Sequence, residues 1–298
     1  MRRFTLCAVA LVAATALAAT STAATFDLPP LNTPPSTEHH VGKIVWADLV
    51  TPDLSAAEKF YGELFGWRFQ TVRAGDTDYV VAMLDGRPVA GMMQKPFATA
   101  QQKQAAWLTF IAVRDVDTVK RTALAHKAKL LVDSKTYGGR GRQAILADPE
   151  GAVFAIVASS SGDSPDYLAS PGEWIWSSLH AKDAGTEAAF YQELFGYDVY
   201  DLPADDGLEH VILSTDDLAR ASANEHFDKT PRHSHWLNFI RVQNAADLAS
   251  KAVLAGGKIL VQPHPDRHGG MVAVVADPAG APVGLMEWSD SDTKEEPK

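Results

Sequence analysis

The stretch that decides the fold is Asp53-Leu-Ser-Ala-Ala-Glu-Lys-Phe-Tyr-Gly-Glu-Leu-Phe-Gly66, and it occurs twice. The second copy, from Asp183 to Gly196, keeps Asp, Phe-Tyr, Glu-Leu-Phe and Gly at identical spacing. Aspartate is a good N-cap, the apolar residues share one helical face, and a terminal glycine can adopt the left-handed turn that ends a helix. Each copy therefore predicts a short amphipathic helix.

The duplication extends well beyond this helix, and all matching blocks lie roughly 130 residues apart. A period this long indicates two tandem domains, because solenoid repeats are only about 20 to 50 residues long. Each domain is long enough that we expect it to bury its own core. The other matching blocks are Trp107-Leu108-x-Phe110 with Trp236-Leu237-x-Phe239, Ala147-Asp148-Pro149 with Ala276-Asp277-Pro278, and Trp46 with Trp176.

Composition divides the chain into segments. Residues 1–24 carry two arginines, an apolar run and then small residues, which is typical of a secretory signal peptide; an uncleaved N-terminal anchor is the alternative. We therefore expect a secreted or periplasmic protein with no stable membrane span after cleavage. The remaining segments are a proline-rich linker without packed structure (25–40), domain 1 (41–160), a second linker (161–171), domain 2 (172–289) and a disordered tail (290–298).

Charge and cysteine content exclude several functional classes. The formal net charge of −10 argues against nucleic-acid binding, which needs concentrated Lys and Arg. The only cysteine is Cys7, inside the predicted signal peptide, so the mature chain has no disulfide, thiolate metal ligand or cysteine nucleophile. Nothing in the sequence indicates an oligomeric state.

Within each domain the order strand, helix, three strands occurs twice, which gives two βαβββ units. This unit, with its Asp-capped Phe-Tyr helix, its Trp-x-x-Phe strand and its Asp-Pro-x-Gly-Ala turn, resembles the vicinal oxygen chelate superfamily. That is the glyoxalase, bleomycin-resistance and extradiol-dioxygenase group. The resemblance implies an α+β fold of two tandem domains, each a cupped sheet of paired βαβββ units. It implies a cleft but no single reaction, because the superfamily contains both enzymes and plain binding proteins.

The resemblance also implies four metal-ligand positions in each domain, which metal-dependent members fill with His or Glu. In this chain they hold tryptophan, leucine, alanine, glycine or serine, and an indole N–H can only donate. We therefore expect no metal and no other cofactor in either cup. The positions are Trp46, Gly91, Leu108 and Ala155 in domain 1, and Trp176, Ser222, Leu237 and Gly284 in domain 2.

The first strand of each domain supplies the main candidate site residues. Asp48 next to a tryptophan suits a flat or cationic organic molecule, and Asp48 can act as a general base if burial raises its pKa. The alternative is that both tryptophans are core residues and that Asp48 accepts hydrogen bonds from backbone or indole N–H groups. Strand alternation places Trp46, Asp48 and Val50 on one face, and Trp174, Trp176, Ser178 and His180 on the corresponding face.

Two loops supply further candidates. Arg140 and Arg142 in domain 1, and His264 and His268 in domain 2, lie in loops that can form the rim of a ligand site. The alternative is that these are ordinary polar loops.

The sequence thus predicts an exported protein that binds a small organic molecule in a metal-free cleft. The alternative is a glyoxalase- or dioxygenase-type enzyme with a divalent metal relocated to domain 2, near His180 and His235 of the His233-x-His235 pair. A third hypothesis is that domain 1 is a structural remnant that pairs with domain 2.

Overall fold

The structure is a computed structural model that describes residues 27–74, 77–96, 105–204, 206–226, 234–266 and 269–288. The predicted signal peptide and the predicted tail beyond residue 289 lie outside the described residues. Domain 1 contains β1 (Ile44–Thr51), α1 (Leu54–Phe65), β2 (Arg68–Ala74), β3 (Thr77–Leu84), β4 (Arg87–Gln94), β5 (Ala106–Ala112), α2 (Val116–Ala125), β6 (Lys129–Tyr137), β7 (Gly141–Ala147) and β8 (Val153–Ser159).

Domain 2 repeats this order of elements. It contains β9 (Trp174–Ala181), α3 (Ala184–Phe195), β10 (Asp198–Asp201), β11 (His210–Thr215), β12 (Leu218–Glu225), β13 (His235–Val242), α4 (Ala245–Leu254), β14 (Lys258–Pro265), β15 (Met271–Ala276) and β16 (Pro282–Glu287). None of the helices in the described part of the chain is long and apolar enough to cross a membrane.

The duplicated helices begin and end at the predicted residues. Asp53 accepts a hydrogen bond from Ala56 N at 3.0 Å, and Asp183 accepts one from Thr186 N at 2.8 Å. Gly66 and Gly196 end the helices with φ of 73° and 69°, in the left-handed region that a side chain would disfavour. The predicted amphipathic helices are confirmed.

Each domain forms one eight-stranded sheet, in the order β2-β3-β4-β1-β5-β8-β7-β6 and β10-β11-β12-β9-β13-β16-β15-β14. The two βαβββ units of a domain join through an antiparallel pair, β1 with β5 and β9 with β13. The helices pack on one face of each sheet, and the opposite face forms the cup. The predicted α+β fold of two tandem cupped sheets is confirmed. We call these faces cup 1 and cup 2.

The large apolar cores lie between the domains, which differs from the expectation that each domain buries its own core. One core joins the first unit of domain 1, through Phe60 and Trp67, to the last unit of domain 2, through Ile240 and Leu285. The second core joins the two middle units, so that Phe154 of domain 1 packs with α3 of domain 2. The helical faces are therefore buried against the partner domain.

The repeated Phe-Tyr, Trp and Asp-Pro motifs meet in this joint. Trp107 Nε1 donates to Tyr61 Oη at 2.9 Å, and Tyr61 Oη donates to Asp277 Oδ2 of the other domain at 3.2 Å. The second copy repeats the chain, from Trp236 to Tyr191 at 2.9 Å and from Tyr191 to Asp148 at 3.0 Å. The conspicuous repeated residues thus hold the domains together.

Residues 27–36, which we call the strap, pack against domain 1 although their composition predicted an unpacked linker. Leu28 and Leu31 are each 3% exposed and lie in the apolar cluster of cup 1. Leu31 N donates a hydrogen bond to Ser161 Oγ at 3.1 Å. The expectation failed because it weighed the prolines and polar residues, whereas the two leucines determine the packing.

Candidate functional site

Asp48 lies at the floor of cup 1 and is 1% exposed. Its Oδ1 atom accepts hydrogen bonds from Trp46 Nε1 at 2.7 Å and from Tyr79 Oη at 2.5 Å. Burial, together with the Asp48 carboxylate, raises the pKa of Tyr79 well above its ordinary value, so the phenol stays protonated and donates. This geometry agrees with the second hypothesis from the sequence, in which Asp48 accepts a hydrogen bond from an indole N–H.

A guanidinium group completes the polar cluster of cup 1. Arg140 is fully buried, and its Nη1 atom lies 3.7 Å from Asp48 Oδ2. Its Nη2 donates to Tyr79 Oη at 2.7 Å, and the guanidinium lies 5.1 Å from the Trp46 ring centroid. Although burial opposes the charge, Tyr79 and Asp48 raise the pKa of Arg140, so the group remains a cation.

The strap closes cup 1. Arg140 Nε donates to the carbonyl oxygen of Pro29 at 3.0 Å, and Leu28 and Leu31 pack with Trp46 and Phe110. Trp46 is consequently only 3% exposed. The strap thus covers Asp48, which a substrate cannot reach while the strap stays bound in cup 1.

Cup 1 does not fit a divalent metal. The four positions that family resemblance implied lie on the neighbouring strands β4, β1, β5 and β8, and Gly91 is in register with Asp48. A Cβ atom at Gly91 would lie 1.7 Å from Tyr79 Oη and 2.1 Å from Asp48 Oδ1, so a ligating side chain there would displace both groups from the polar cluster. The buried cation of this cup is Arg140.

Cup 2 carries a hydroxyl and amide cluster where cup 1 carries charges. Ser178 and Ser222 are in register, and their hydroxyl oxygens lie 3.1 Å apart. Trp176 Nε1 donates to Ser222 Oγ at 3.1 Å, and Asn224 Nδ2 donates to Ser178 Oγ. His210 Nδ1 contacts Asn224 Oδ1 at 2.8 Å, which links the cluster to the rim of the sheet.

Apolar residues form the rest of cup 2, and Trp176 is only partly buried among them. In the part of the chain that the structure describes, this cluster includes no residue from the strap. The two cups therefore differ: strap residues pack in cup 1, and cup 2 keeps a partly exposed indole beside buried hydroxyl groups. The cluster consists of Leu237, Phe239, Val272 and Met286, with Ile175, Trp176, Val274 and Trp288 packed against it.

Three histidine rings stack at one end of cup 2. His180 lies 5.3 Å from His235 and 6.2 Å from His226 between ring centroids, and His226 and His235 are 5.6 Å apart. Burial, followed by the three neighbouring imidazoles His235, His226 and His210, lowers the pKa of His180 to about 3. His180 is therefore neutral at pH 7, and its buried Nε2 atom has no hydrogen-bond partner among the described residues.

This stack does not form a ready metal site. The His180 and His235 rings are inclined by only 17° and stacked, so their nitrogen lone pairs lie in two separate, nearly parallel planes, an arrangement unlike convergence on one ion. Across the described ranges, no group of three His, Cys, Asp or Glu side chains is placed to hold a metal. At the fourth implied position, a Cβ atom on Gly284 would lie 2.1 Å from the Phe239 ring, so a ligating side chain there would displace that ring.

Other candidate residues lie apart from the cups. Arg142 pairs with Asp117 at 2.9 Å near the start of α2, and His264 is exposed on β14. His268 and His233 lie outside the described residues. Strand alternation predicted that Trp174 lies on the same face of β9 as Trp176, which is wrong because Trp174 packs against the core between the domains. The cause is an irregularity in the β9–β13 pairing between these two residues.

A pocket of about 420 Å³ lies between the domains, bounded by the strap, the start of β1 and the linker before β9. Its charged residues are already paired: Lys43 with Asp166 at 2.7 Å, and Arg87 with Glu173 at 2.6 Å. Tyr167 stands in the linker wall and is 53% exposed. Neither this pocket nor the roles of Tyr79 and the strap could be predicted from the sequence, because each depends on contacts between distant segments.

Comparison with known proteins agrees with the topology. Residues 39–156 match the Glyoxalase/Bleomycin resistance protein/Dioxygenase superfamily, and residues 176–286 match the Glyoxalase-like domain family. The chain belongs to the glyoxalase, bleomycin-resistance and dioxygenase superfamily. Its two domains are therefore tandem members of this superfamily, as the resemblance of the motifs predicted.

Three similar proteins align with most of the chain. The “Putative glyoxylase CFP32” of Mycobacterium tuberculosis is 30% identical over 257 residues, covering 85% of this chain and 98% of that protein. The “Anthracycline biosynthesis protein DauV” of Streptomyces sp. (strain C5) is 27% identical, covering 84% and 94%. The Mn(II)-bound glyoxalase from Novosphingobium aromaticivorans has a TM-score of 0.58 at 13% identity, covering 83% and 82%, which shows the shared fold alone.

Proposed function

We propose that this protein binds a small organic molecule in cup 2, without a metal ion. The observation that carries the proposal is the difference between the cups. Strap residues pack in cup 1, whereas cup 2 presents the partly exposed Trp176 beside the hydroxyl groups of Ser178 and Ser222. A mostly apolar concave surface with a few polar groups is typical of small-molecule sites.

The lining of cup 2 favours a flat, neutral ligand that carries hydrogen-bonding oxygens. Trp176 offers partly exposed aromatic surface beside the buried Phe239. The buried Ser178 and Ser222 hydroxyls and the partly buried Asn224 can exchange their internal hydrogen bonds for bonds to a ligand that enters the cup. His180 is neutral at pH 7 and adds no charge. The name of the DauV relative, an anthracycline biosynthesis protein, points to polycyclic aromatic compounds as the first class to test.

A second candidate is a metal-dependent reaction of the glyoxalase or dioxygenase type in domain 2. The stacked imidazoles of His180, His226 and His235 are the observation that favours it. Such a site needs the rings to rotate so that their nitrogen atoms converge. Elemental analysis separates the two candidates: stoichiometric Mn, Fe, Ni or Zn that is lost in His180→Ala, and kept in the exposed control His264→Ala, supports the enzyme.

We also propose that the chain is exported. The support is the pattern of residues 1–24, with two arginines, an apolar run and small residues. Fractionation of the producing cells, with mass spectrometry of the N-terminus, tests this. A chain in the cytosol that still begins at Met1 contradicts it.

A thermal-shift screen with polycyclic aromatic and antibiotic-like compounds tests ligand binding in cup 2. A compound that binds there raises the melting temperature of the unaltered chain and of Tyr167→Ala, but raises that of Trp176→Ala much less. Tyr167 is the matched aromatic control because it lines the pocket between the domains. A shift that Tyr167→Ala abolishes and Trp176→Ala preserves places the ligand in that other pocket and contradicts the proposal.

A further inference from the structure

Cup 1 is occupied by a short proline-containing peptide that belongs to the chain itself. The strap contains Leu28-Pro29-Pro30-Leu31, and its two leucines enter the cup while the prolines between them stay partly exposed. A Pro-Pro sequence favours the extended polyproline conformation, in which the backbone loses little entropy on binding. The strap therefore has the chemistry of a peptide ligand.

The receiving surface has the chemistry of a site for such a peptide. Trp46, Tyr79 and Phe110 form an aromatic wall against the leucines, as in grooves that bind proline-rich segments. The peptide backbone is also bound directly. Arg140 Nε donates to the Pro29 carbonyl at 3.0 Å, and Leu31 N and Asn32 N each donate to Ser161 Oγ at 3.1 Å.

Gly139 shows how closely the two backbones approach. A Cβ atom at this position would lie 2.4 Å from the carbonyl oxygen of Leu28, a rigid backbone atom. At Gly138 an added Cβ would lie 3.0 Å from Asp27 Oδ2, which is the end of a flexible side chain. Only glycine at position 139 therefore allows the strap backbone to approach this surface so closely.

We propose that cup 1 is a binding site for proline-rich peptides, occupied in cis by residues 27–36, and that a free peptide of this chemistry binds when the strap is released. Recognition requires a carbonyl oxygen for Arg140 between two branched aliphatic side chains. The strap excludes competitors because its tethering gives it a high effective concentration, on the order of millimolar for a short flexible link.

The test uses the full chain carrying Leu28→Asp and Leu31→Asp, so that its own strap cannot enter the apolar cup. A fluorescein-labelled peptide with the sequence of residues 27–36 is titrated, and binding is measured by fluorescence polarisation. We expect the peptide to bind the double variant at least ~10-fold more tightly than it binds the unaltered chain. A peptide carrying both Leu→Asp changes should not bind.

Substitutions at the neighbouring Gly139 and Gly138 test whether the peptide binds at the position of the strap. Adding Gly139→Ala to the double variant should abolish peptide binding, whereas adding Gly138→Ala should leave it within about 3-fold, because the flexible Asp27 side chain can move away. Equal peptide binding in the Gly139→Ala and Gly138→Ala proteins, or no binding to a folded double variant, overturns the proposal. If the double variant does not fold, the proposal is tested by hydrogen exchange of the strap amides in the Gly139→Ala and Gly138→Ala variants of the otherwise unaltered chain. The Leu31 and Asn32 amides must exchange faster in Gly139→Ala than in Gly138→Ala, and equal rates overturn it.

Discussion

The Nη1 atom of Arg140 lies 3.7 Å from Oδ2 of Asp48, and both side chains are sealed inside cup 1. Removing one member of a buried ion pair leaves the other charge without compensation. Arg140→Met should therefore lower the free energy of unfolding by about 3–5 kcal/mol, measured by urea denaturation at pH 7.

Arg142, two residues along the chain, provides the control. It pairs with Asp117 at the surface, and exposed pairs contribute only about 0–1 kcal/mol, so Arg142→Met should change stability little. Equal losses in the two variants would mean that the buried cation has no special role in cup 1.

Leu31 anchors the strap, and its truncation should expose the mouth of cup 1. Leu31→Ala removes a side chain that is 3% exposed among aromatic rings and should destabilise the protein by about 2–4 kcal/mol. Pro35→Ala, in the same strap but exposed, should stay within about 0.5 kcal/mol. Thermal and urea unfolding of both variants measure this, and a neutral Leu31→Ala contradicts the packing of the strap.

Glu187 gives the joint between the domains a pH dependence. It is fully buried on α3, where its carboxyl group lies beside that of Asp148. Burial and the Asp148 carboxylate raise the pKa of Glu187 from 4.5 to about 9. The pKa of Glu187 is higher in the folded protein than in the unfolded chain. The contribution of the protonated Glu187 to the free energy of unfolding is therefore complete below pH 4.5 and is lost as the pH rises to about 9.

Glu187→Gln keeps the shape of the neutral acid and cannot ionise. Its melting temperature should exceed that of the unaltered chain by several degrees, about 3–8 °C, at pH 8, and should match it within about 1 °C at pH 4.5. Glu193→Gln, exposed on the same helix, should show no such divergence. A pH-independent difference between Glu187→Gln and the unaltered chain would contradict the buried, protonated carboxyl.

Neither domain should fold alone, because each apolar core takes residues from both domains. Residues 27–160 and residues 164–288, produced separately, should lack cooperative thermal transitions by circular dichroism. Co-expression should restore a folded complex, since it restores both cores and the Tyr61–Asp277 and Tyr191–Asp148 bonds. A cooperatively folded isolated domain would show that its own sheet is sufficient.

Local and periodic features could be predicted from the sequence. Asp53 and Gly66 fixed the limits of α1, and the period of the matching blocks predicted two domains of the same topology. The positions carried over from family resemblance fall on adjacent central strands of each sheet. These inferences hold because caps, strand alternation and repeats depend on residues near one another in the chain.

Features that depend on distant contacts could not be predicted. Arg140 and Arg142 are the same residue type in the same loop sequence, yet Arg140 lies in cup 1 and Arg142 pairs with Asp117. The sequence around Leu28 is typical of a polar linker, and nothing in it predicts that Leu28 packs with Trp46. The repeated Tyr61 motif indicated that the two domains share one pattern, but not that Tyr61 bonds to Asp277, 216 residues away.

Hydrogen exchange with a bound compound tests the central claim, that cup 2 binds the ligand while cup 1 is closed. A compound that raises the melting temperature is added, and amide exchange is mapped by mass spectrometry. Slower exchange should be confined to β9, β12 and β13, which carry Trp176, Ser222 and Leu237. Slower exchange in β1, β4 and β5 together with release of the strap, or in the linker around Tyr167, would contradict it.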